Sequence, residues 1–230
     1  VDILSDLLEL VYPNHCASCL GPVSDSESPI CIRCRLDLPV VIAKPFSNHE
    51  ELSKKFAGLL PVKHSIAFLK FEKGGSTQRL LHALKYGKRP EVGVLLGRLL
   101  AAELSGAGLK LNFDYILPIP LHTKKLRTRG YNQAMAFAEG IANGFKTEAN
   151  DSILIRTTAT DSQTKKGKLQ RILNVGEVFG IHPENRELLK GKHILMVDDV
   201  VTTGSTMEAC AKLLIQEPIA SLSIATIAMA

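Results

Sequence analysis

The chain has 230 residues, of which 45% are hydrophobic, 22% charged and 5% aromatic, with no Trp and a net charge of +5. This is ordinary composition for a soluble globular protein, long enough for one large domain or a domain with an appendage. No apolar run reaches the roughly 18 residues of a membrane span. The N-terminal Val1-Asp2-Ile3-Leu4 shows no basic-then-apolar signal pattern, so a cytoplasmic location is the expectation. The charge is unevenly spread: residues 121–171 hold ten Lys/Arg against four acids, which favours an anionic ligand or nucleic acid.

Val1 to Val11 reads as a short amphipathic helix through Leu4, Leu7, Leu8 and Val11, ended by Pro13. Cys16-x-x-Cys19 and Cys31-x-x-Cys34 follow, eleven residues apart, across loop material rich in Ser, Pro and Gly. Two residues between cysteines let both sulfurs of a tight turn face one ion. Four thiolates are a tetrahedral zinc set with no open position, so the metal would be structural. A disulfide pair or a redox dithiol is the alternative; a cytosolic setting disfavours the first and the doubled motif argues against the second. His15 and His49 are read as bystanders.

Residues 39–61 read as Pro-containing linker. Strands are predicted over His64–Phe71, Tyr115–Ile119, Ile153–Ile155, Glu177–Gly180 and Ser221–Met229. Helices are predicted over Thr77–Tyr86, Val92–Leu104 and Tyr131–Ala142. Strands alternating with helices predict an α/β fold with a mostly parallel sheet flanked by helices, and ligands at the carboxyl ends of the strands. The expected division is 1–45 for the N-terminal helix and cysteine module, 46–62 for the linker and 63–230 for the α/β domain.

The most informative run is Ile194-Leu195-Met196-Val197-Asp198-Asp199-Val200-Val201-Thr202-Thr203-Gly204-Ser205-Thr206. The apolar start fits a strand buried on both faces. Met207, Cys210, Leu213 and Leu214 then recur at helical spacing, placing Ser205 or Thr206 at a helix start. The unpaired N–H groups there, the helix dipole, four hydroxyls and a glycine able to take positive φ make an anion cradle. No Lys follows the glycine, so this is not the nucleoside-triphosphate loop. The two acids accept hydrogen bonds only and suit a diol. A strand-ending acid pair with an N-capping cluster is the plainer reading, but a cap needs one hydroxyl and this loop has four. A phosphorylated ribose needs both halves. Cys210 is read as a small buried core residue.

At these residues the chain resembles the type I phosphoribosyltransferases, whose signature is four apolar residues, two acids and a Thr-Thr-Gly-Ser/Ala-Thr loop. Three further strings narrow the resemblance: Leu117-Pro118-Ile119-Pro120-Leu121-His122 with Lys125, Arg127, Arg129, Gly130, Tyr131, Asn132 and Gln133; Arg156, Thr158, Gln163, Leu169, Arg171, Asn174, Val175 and Phe179; and Ala83-Leu84-Lys85-Tyr86-Gly87. With the N-terminal cysteines, they resemble the ComF family, the competence-associated, phosphoribosyltransferase-like proteins of bacteria.

The resemblance implies a type I phosphoribosyltransferase-like fold with a small four-cysteine zinc module. It implies that Thr202, Thr203, Gly204, Ser205 and Thr206 hold the 5′-phosphate of phosphoribosyl pyrophosphate (PRPP), and that Asp198 and Asp199 hold the ribose hydroxyls and stabilise charge on the ring. The Pro118-Ile119-Pro120 loop would bind pyrophosphate through backbone N–H groups, with Arg127, Arg129 and Arg171 on the leaving group. Mg²⁺ would accompany PRPP, and Thr157 to Asn174 would be a loop that closes over it. Two functions fit these residues. One is transfer of phosphoribosyl to an acceptor the sequence does not identify, linked to DNA uptake. The other is a non-catalytic module binding PRPP, single-stranded DNA or both, working with other competence proteins. No glutaminase half is visible.

Overall fold

The computed structural model describes residues 14–23, 28–108, 111–156 and 179–230. The helix expected over Val1–Val11 and the closing loop expected over Thr157–Asn174, with Arg171 on it, lie outside the described residues. In chain order the first elements are α1 (Ile32–Leu36), α2 (Glu50–Phe56), β1 (Val62–Lys70), α3 (Ser76–Tyr86), α4 (Pro90–Gly106) and β2 (Tyr115–Pro118). There follow α5 (Thr123–Arg129), α6 (Gln133–Phe145), β3 (Glu148–Ala149), β4 (Leu154–Arg156) and β5 (Phe179–Ile181). A 3₁₀ turn (Pro183–Leu189), β6 (His193–Val201), α7 (Ser205–Leu214) and β7 (Ser221–Met229) complete the chain.

Five strands form one parallel sheet in the order β1-β7-β6-β2-β3. The central strands β6 and β7 are apolar almost throughout because helices cover both their faces. On one face Leu80 and Leu84 of α3, Leu96 and Leu100 of α4 and Phe137 and Ile141 of α6 pack over Leu195, Val197 and Ala225. On the other, Leu52 and Phe56 of α2 and Met207, Cys210 and Leu214 of α7 pack over Ile194, Met196 and Ile224. This is an α/β arrangement, a parallel sheet flanked by helices, as the alternation of strands and helices in the sequence predicts. β4 and β5 form a separate antiparallel pair.

Helices α4 and α6 touch backbone to backbone. A Cβ at Gly140 would lie 2.1 Å from the Val94 carbonyl oxygen, and one at Gly97 would lie 2.3 Å from that of Phe137. Only glycine at both positions permits this approach, and it seats α6 against the sheet.

The stretch read as linker is built differently. Its prolines and Gly58 hide α2, which is capped by His49 Nδ1 and buries Leu52 and Phe56 four residues apart. Residues 39–41 run along the outer edge of β1, with Val41 N–H donating to the Phe68 carbonyl and Lys70 N–H to that of Pro39, both at 2.9 Å. Helix α5 is likewise absent from the sequence expectation: Thr-Lys-Lys-Leu-Arg-Thr-Arg has no apolar stripe, so periodicity gives no signal.

Candidate functional site

The carboxyl ends of β6 and β2 meet where Pro118 pairs with Val197. β6 continues past its apolar run, so Asp198 and Asp199 are strand residues. Neighbours along a strand point to opposite faces. Asp199 shares the side of Leu195 and Val197 and meets Lys85 at the end of α3, Nζ to Oδ1 3.2 Å. Asp198 shares the side of Ile194 and Met196; its Oδ1 accepts from Asp199 N–H at 2.8 Å. Burial first, then the charge of Asp199, pushes the Asp198 carboxyl up to about 7, against the Asp199 N–H, Lys85 and Lys125. Among the described residues no cation lies within 4.0 Å of it, the ion-pair limit. An ionised Asp198 therefore suits a ligand that brings hydroxyls and a divalent cation.

The loop that follows is open. Thr202, Thr203, Ser205 and Thr206 are exposed, and Gly204 adopts φ +84 at the start of α7, a conformation that favours glycine. Ser205 N–H donates to Thr203 Oγ1 at 3.4 Å, and the first helical bond runs from Glu208 N–H to the Gly204 carbonyl at 2.8 Å. The N–H groups of Thr206 and Met207 have no acceptor among the described residues. The residues read from the sequence as an anion cradle thus lie in one turn, with Thr202, Thr203, Ser205 and Thr206 exposed.

On the far side of Lys85 lies a cavity of about 370 Å³ lined by Lys85, Tyr86, Lys88, Lys124, Lys125, Thr128 and Arg129. Five of these seven are cations and none is an acid. Arg129 is fixed there: its guanidinium lies 5.4 Å from the centre of the Tyr86 ring and Nη1 donates to Gln133 Oε1 at 2.6 Å. Arg127 is exposed on α5.

The Tyr131-Asn132-Gln133 string is a buckle. The Tyr131 hydroxyl donates to the Leu84 carbonyl, tying α6 to α3. Asn132 Oδ1 caps α6 through Ala134 N–H, and its Nδ2 donates to the Ile119 carbonyl at 3.0 Å. Ile119 N–H donates to the Val197 carbonyl at 2.9 Å, and prolines lack the group. Pro118-Ile119-Pro120 therefore offers no open backbone donor.

Away from the sheet edge, the Sγ atoms of Cys16, Cys19, Cys31 and Cys34 all lie within 4.8 Å of one another, Cys19 and Cys31 at 3.9 Å. A tetrahedron with arms of about 2.3 Å has edges of about 3.8 Å, so the set fits zinc. Ser18 and Cys31 N–H groups point at Cys16 Sγ, both at 3.4 Å, and Cys34 N–H at Cys31 Sγ, 3.5 Å. Burial raises Cys16, but N–H groups of Cys19, Cys31 and Ser18 outweigh it and bring the thiol down to about 6; burial and neighbouring thiols push Cys34 up to about 12. Arg79 Nε donates to Ser18 and Arg89 Nη1 to His15, each at 2.6 Å to a carbonyl, clipping the knuckle to α3 and the α3–α4 turn. Neither His15 nor His49 belongs to the sulfur cluster. Cys210 is a buried core residue whose thiol burial pushes up to about 12.

Residues 132–229 match the family described as "Phosphoribosyl transferase domain". The chain is 32% identical over 149 residues to the DNA utilization protein YhgH of Escherichia coli strain K12, covering 63% of each, so the match spans less than two thirds of that relative. It is 31% identical over 102 residues to the competence protein ComFC of Bacillus subtilis strain 168, covering 44% of this chain and 38% of that one. Among solved structures, a glutamine PRPP amidotransferase from B. subtilis overlaps 64% of this chain and 30% of its own, at 17% identity and a TM-score of 0.44.

Proposed function

We propose that the chain is a ComF/YhgH-like protein and that, through the domain matched over residues 132–229, it binds PRPP along the carboxyl edge of its sheet. Thr202 to Thr206 take the 5′-phosphate on hydroxyls and the N–H groups of α7. Asp198 and Asp199 take the ribose hydroxyls. The observation that carries the reading is Lys85, whose ammonium bridges from Asp199 into the cavity of five cations. In this reading the three chemistries that PRPP needs, a phosphate cradle, a diol acceptor and a pyrophosphate clamp, are supplied by the loop, the acid pair and the cavity that Lys85 links to Asp199. In this reading Lys85, Lys88, Lys124, Lys125 and Arg129 face the pyrophosphate, Arg127 stands at the rim, and Arg171 belongs to the segment expected to close over the ligand. Mg²⁺ bound with PRPP would neutralise the pyrophosphate and favour ionised Asp198. Zinc in the four-cysteine knuckle is proposed as structural.

The proposed reaction breaks the bond from C1′ to pyrophosphate, which leaves with the electron pair, and forms a bond from C1′ to an acceptor. Asp198 and Asp199 stabilise positive charge developing on the ring, and the cationic cavity stabilises the leaving group. A second reading is favoured by the exposed basic surface of α5 beside that cavity and by the relatives' names, which concern DNA utilization and competence. Here PRPP is sensed without being consumed and single-stranded DNA is the partner, in a cytoplasmic competence assembly. Titration calorimetry with PRPP and Mg²⁺, followed by an assay for released pyrophosphate with candidate acceptors, separates them. Binding with release supports the transferase; binding without release supports the sensor; no heat with PRPP in zinc-loaded protein contradicts both. The sensor's DNA arm requires affinity at low salt that falls as salt rises.

A further inference from the structure

The phosphate loop has a second wall that the motif does not contain. Helix α2, from the stretch read as linker, is held by Leu52 and Phe56, and Phe56 packs against the loop: a Cβ at Gly204 would lie 3.3 Å from Phe56 Cζ and 3.6 Å from Cε1. The next atom met is Lys55 Cδ, at 3.7 Å. The Lys55 stem therefore runs alongside the glycine of the anion cradle, and its ammonium lies two bonds beyond that contact.

The charge of Lys55 is uncommitted. Its neighbour Lys54 is paired with Glu50 at 2.5 Å, whereas Lys55 has no carboxylate within 4.0 Å among the described residues. It is half-buried, with its stem covered as lysines often are when they present a charge at the edge of an apolar contact. The loop itself holds no cation between Thr202 and Thr206, and the two carboxylates just before it repel an anion. Hydroxyls and N–H groups alone must hold a dianionic phosphate there; a nearby ammonium supplies the missing charge, and a charge-assisted bond is stronger than a neutral one.

We propose that Lys55 of α2 is a phosphate-binding residue, supplying the positive charge of the 5′-phosphate site from outside the Thr-Thr-Gly-Ser-Thr loop. This rests on the PRPP reading above and deepens it. It assigns the two ends of the ligand to separate cations: Lys55 to the monophosphate, the α3–α5 cavity to the pyrophosphate.

The test uses the full zinc-loaded chain, with Lys55→Met, which keeps the stem, and Lys55→Arg, which keeps the charge. Calorimetry is run with ribose 5-phosphate, with PRPP and with pyrophosphate, each with Mg²⁺. Lys55→Met should weaken ribose 5-phosphate and PRPP about tenfold and leave pyrophosphate unchanged, and Lys55→Arg should restore most of the loss. Ribose 5-phosphate bound equally by wild type and Lys55→Met overturns the assignment. An equal loss for pyrophosphate also overturns it, since the lysine would then act on the whole fold. If wild type binds neither ribose 5-phosphate nor PRPP, the underlying reading fails and takes the assignment with it, a result distinct from the first two.

Discussion

The cysteine knuckle and the phosphate loop reach order by opposite routes. The loop is local: eight consecutive residues, Val197 to Gly204, carry the chain from a buried strand through two acids to a helix start, and the sheet beneath holds that strand by hydrogen bonds on both sides. The knuckle is assembled from two turns separated by a loop. It has one buried cysteine, almost no core of its own and two arginine clips to its neighbours. The loop leaves polar groups open to a ligand; the knuckle turns its donors inward onto sulfur. Stability should therefore depend on the knuckle's ligands far more than on the loop's, and phosphate affinity the reverse.

The largest expected effect is on the knuckle. Cys31→Ser should reduce zinc content from one ion per chain to near zero and expose residues 14–38 to protease, because structural zinc contributes on the order of 10 kcal/mol to the fold it holds. PRPP affinity in that variant should stay within about threefold of wild type, since the knuckle's clips run to α3 and the α3–α4 turn rather than to the loop. A matching collapse of PRPP binding would erase the contrast. Gly204→Val is the mirror experiment. Its φ of +84 is strained for a β-branched residue, and the new side chain meets Phe56. PRPP affinity should fall about a hundredfold while zinc content holds, the loss being the N–H cradle itself.

A smaller effect concerns Asp198. Its carboxyl is raised from 3.8 to about 7 on folding, so the folded chain holds the proton more tightly than the unfolded one. The stability this proton confers is complete below pH 3.8 and is lost as pH rises through about 7. Asp198→Asn should thus match wild type near pH 4 in denaturant unfolding and exceed it by more than about 1 kcal/mol at pH 8. A difference that does not change with pH would contradict the assignment. The smallest expected effect is Arg79→Ala, which removes the bond to Ser18 and should loosen the knuckle by about 1–2 kcal/mol without changing zinc stoichiometry.

Much of this is legible in the sequence because its signals are local. The apolar run of β6, the acid pair, the hydroxyl loop and the doubled Cys-x-x-Cys each lie in a short window, and the strand expected over Ser221–Met229 is β7 to the residue. What escapes depends on tertiary contact. Helix α2 is short, flanked by prolines, and helical because Leu52 and Phe56 find a sheet to cover. Helix α5 has no apolar stripe to reveal it. The pyrophosphate role expected of the Pro118–Pro120 backbone meets a donor already engaged, as no sequence pattern could indicate that Ile119 N–H pairs with Val197. Arg129 stands out in the sequence, but Lys88, Lys124 and Lys125 join it only because α3 and α5 end side by side.

The most direct test of the central claim is a crystal structure of the zinc-loaded chain with PRPP and Mg²⁺. The account predicts the 5′-phosphate within hydrogen-bond distance of the Ser205, Thr206 and Met207 N–H groups, the ribose hydroxyls on Asp198 and Asp199, and the pyrophosphate toward Lys85 and Arg129. A ligand whose pyrophosphate occupies the Thr202–Thr206 loop, or a loop left vacant with ligand bound elsewhere, would contradict it.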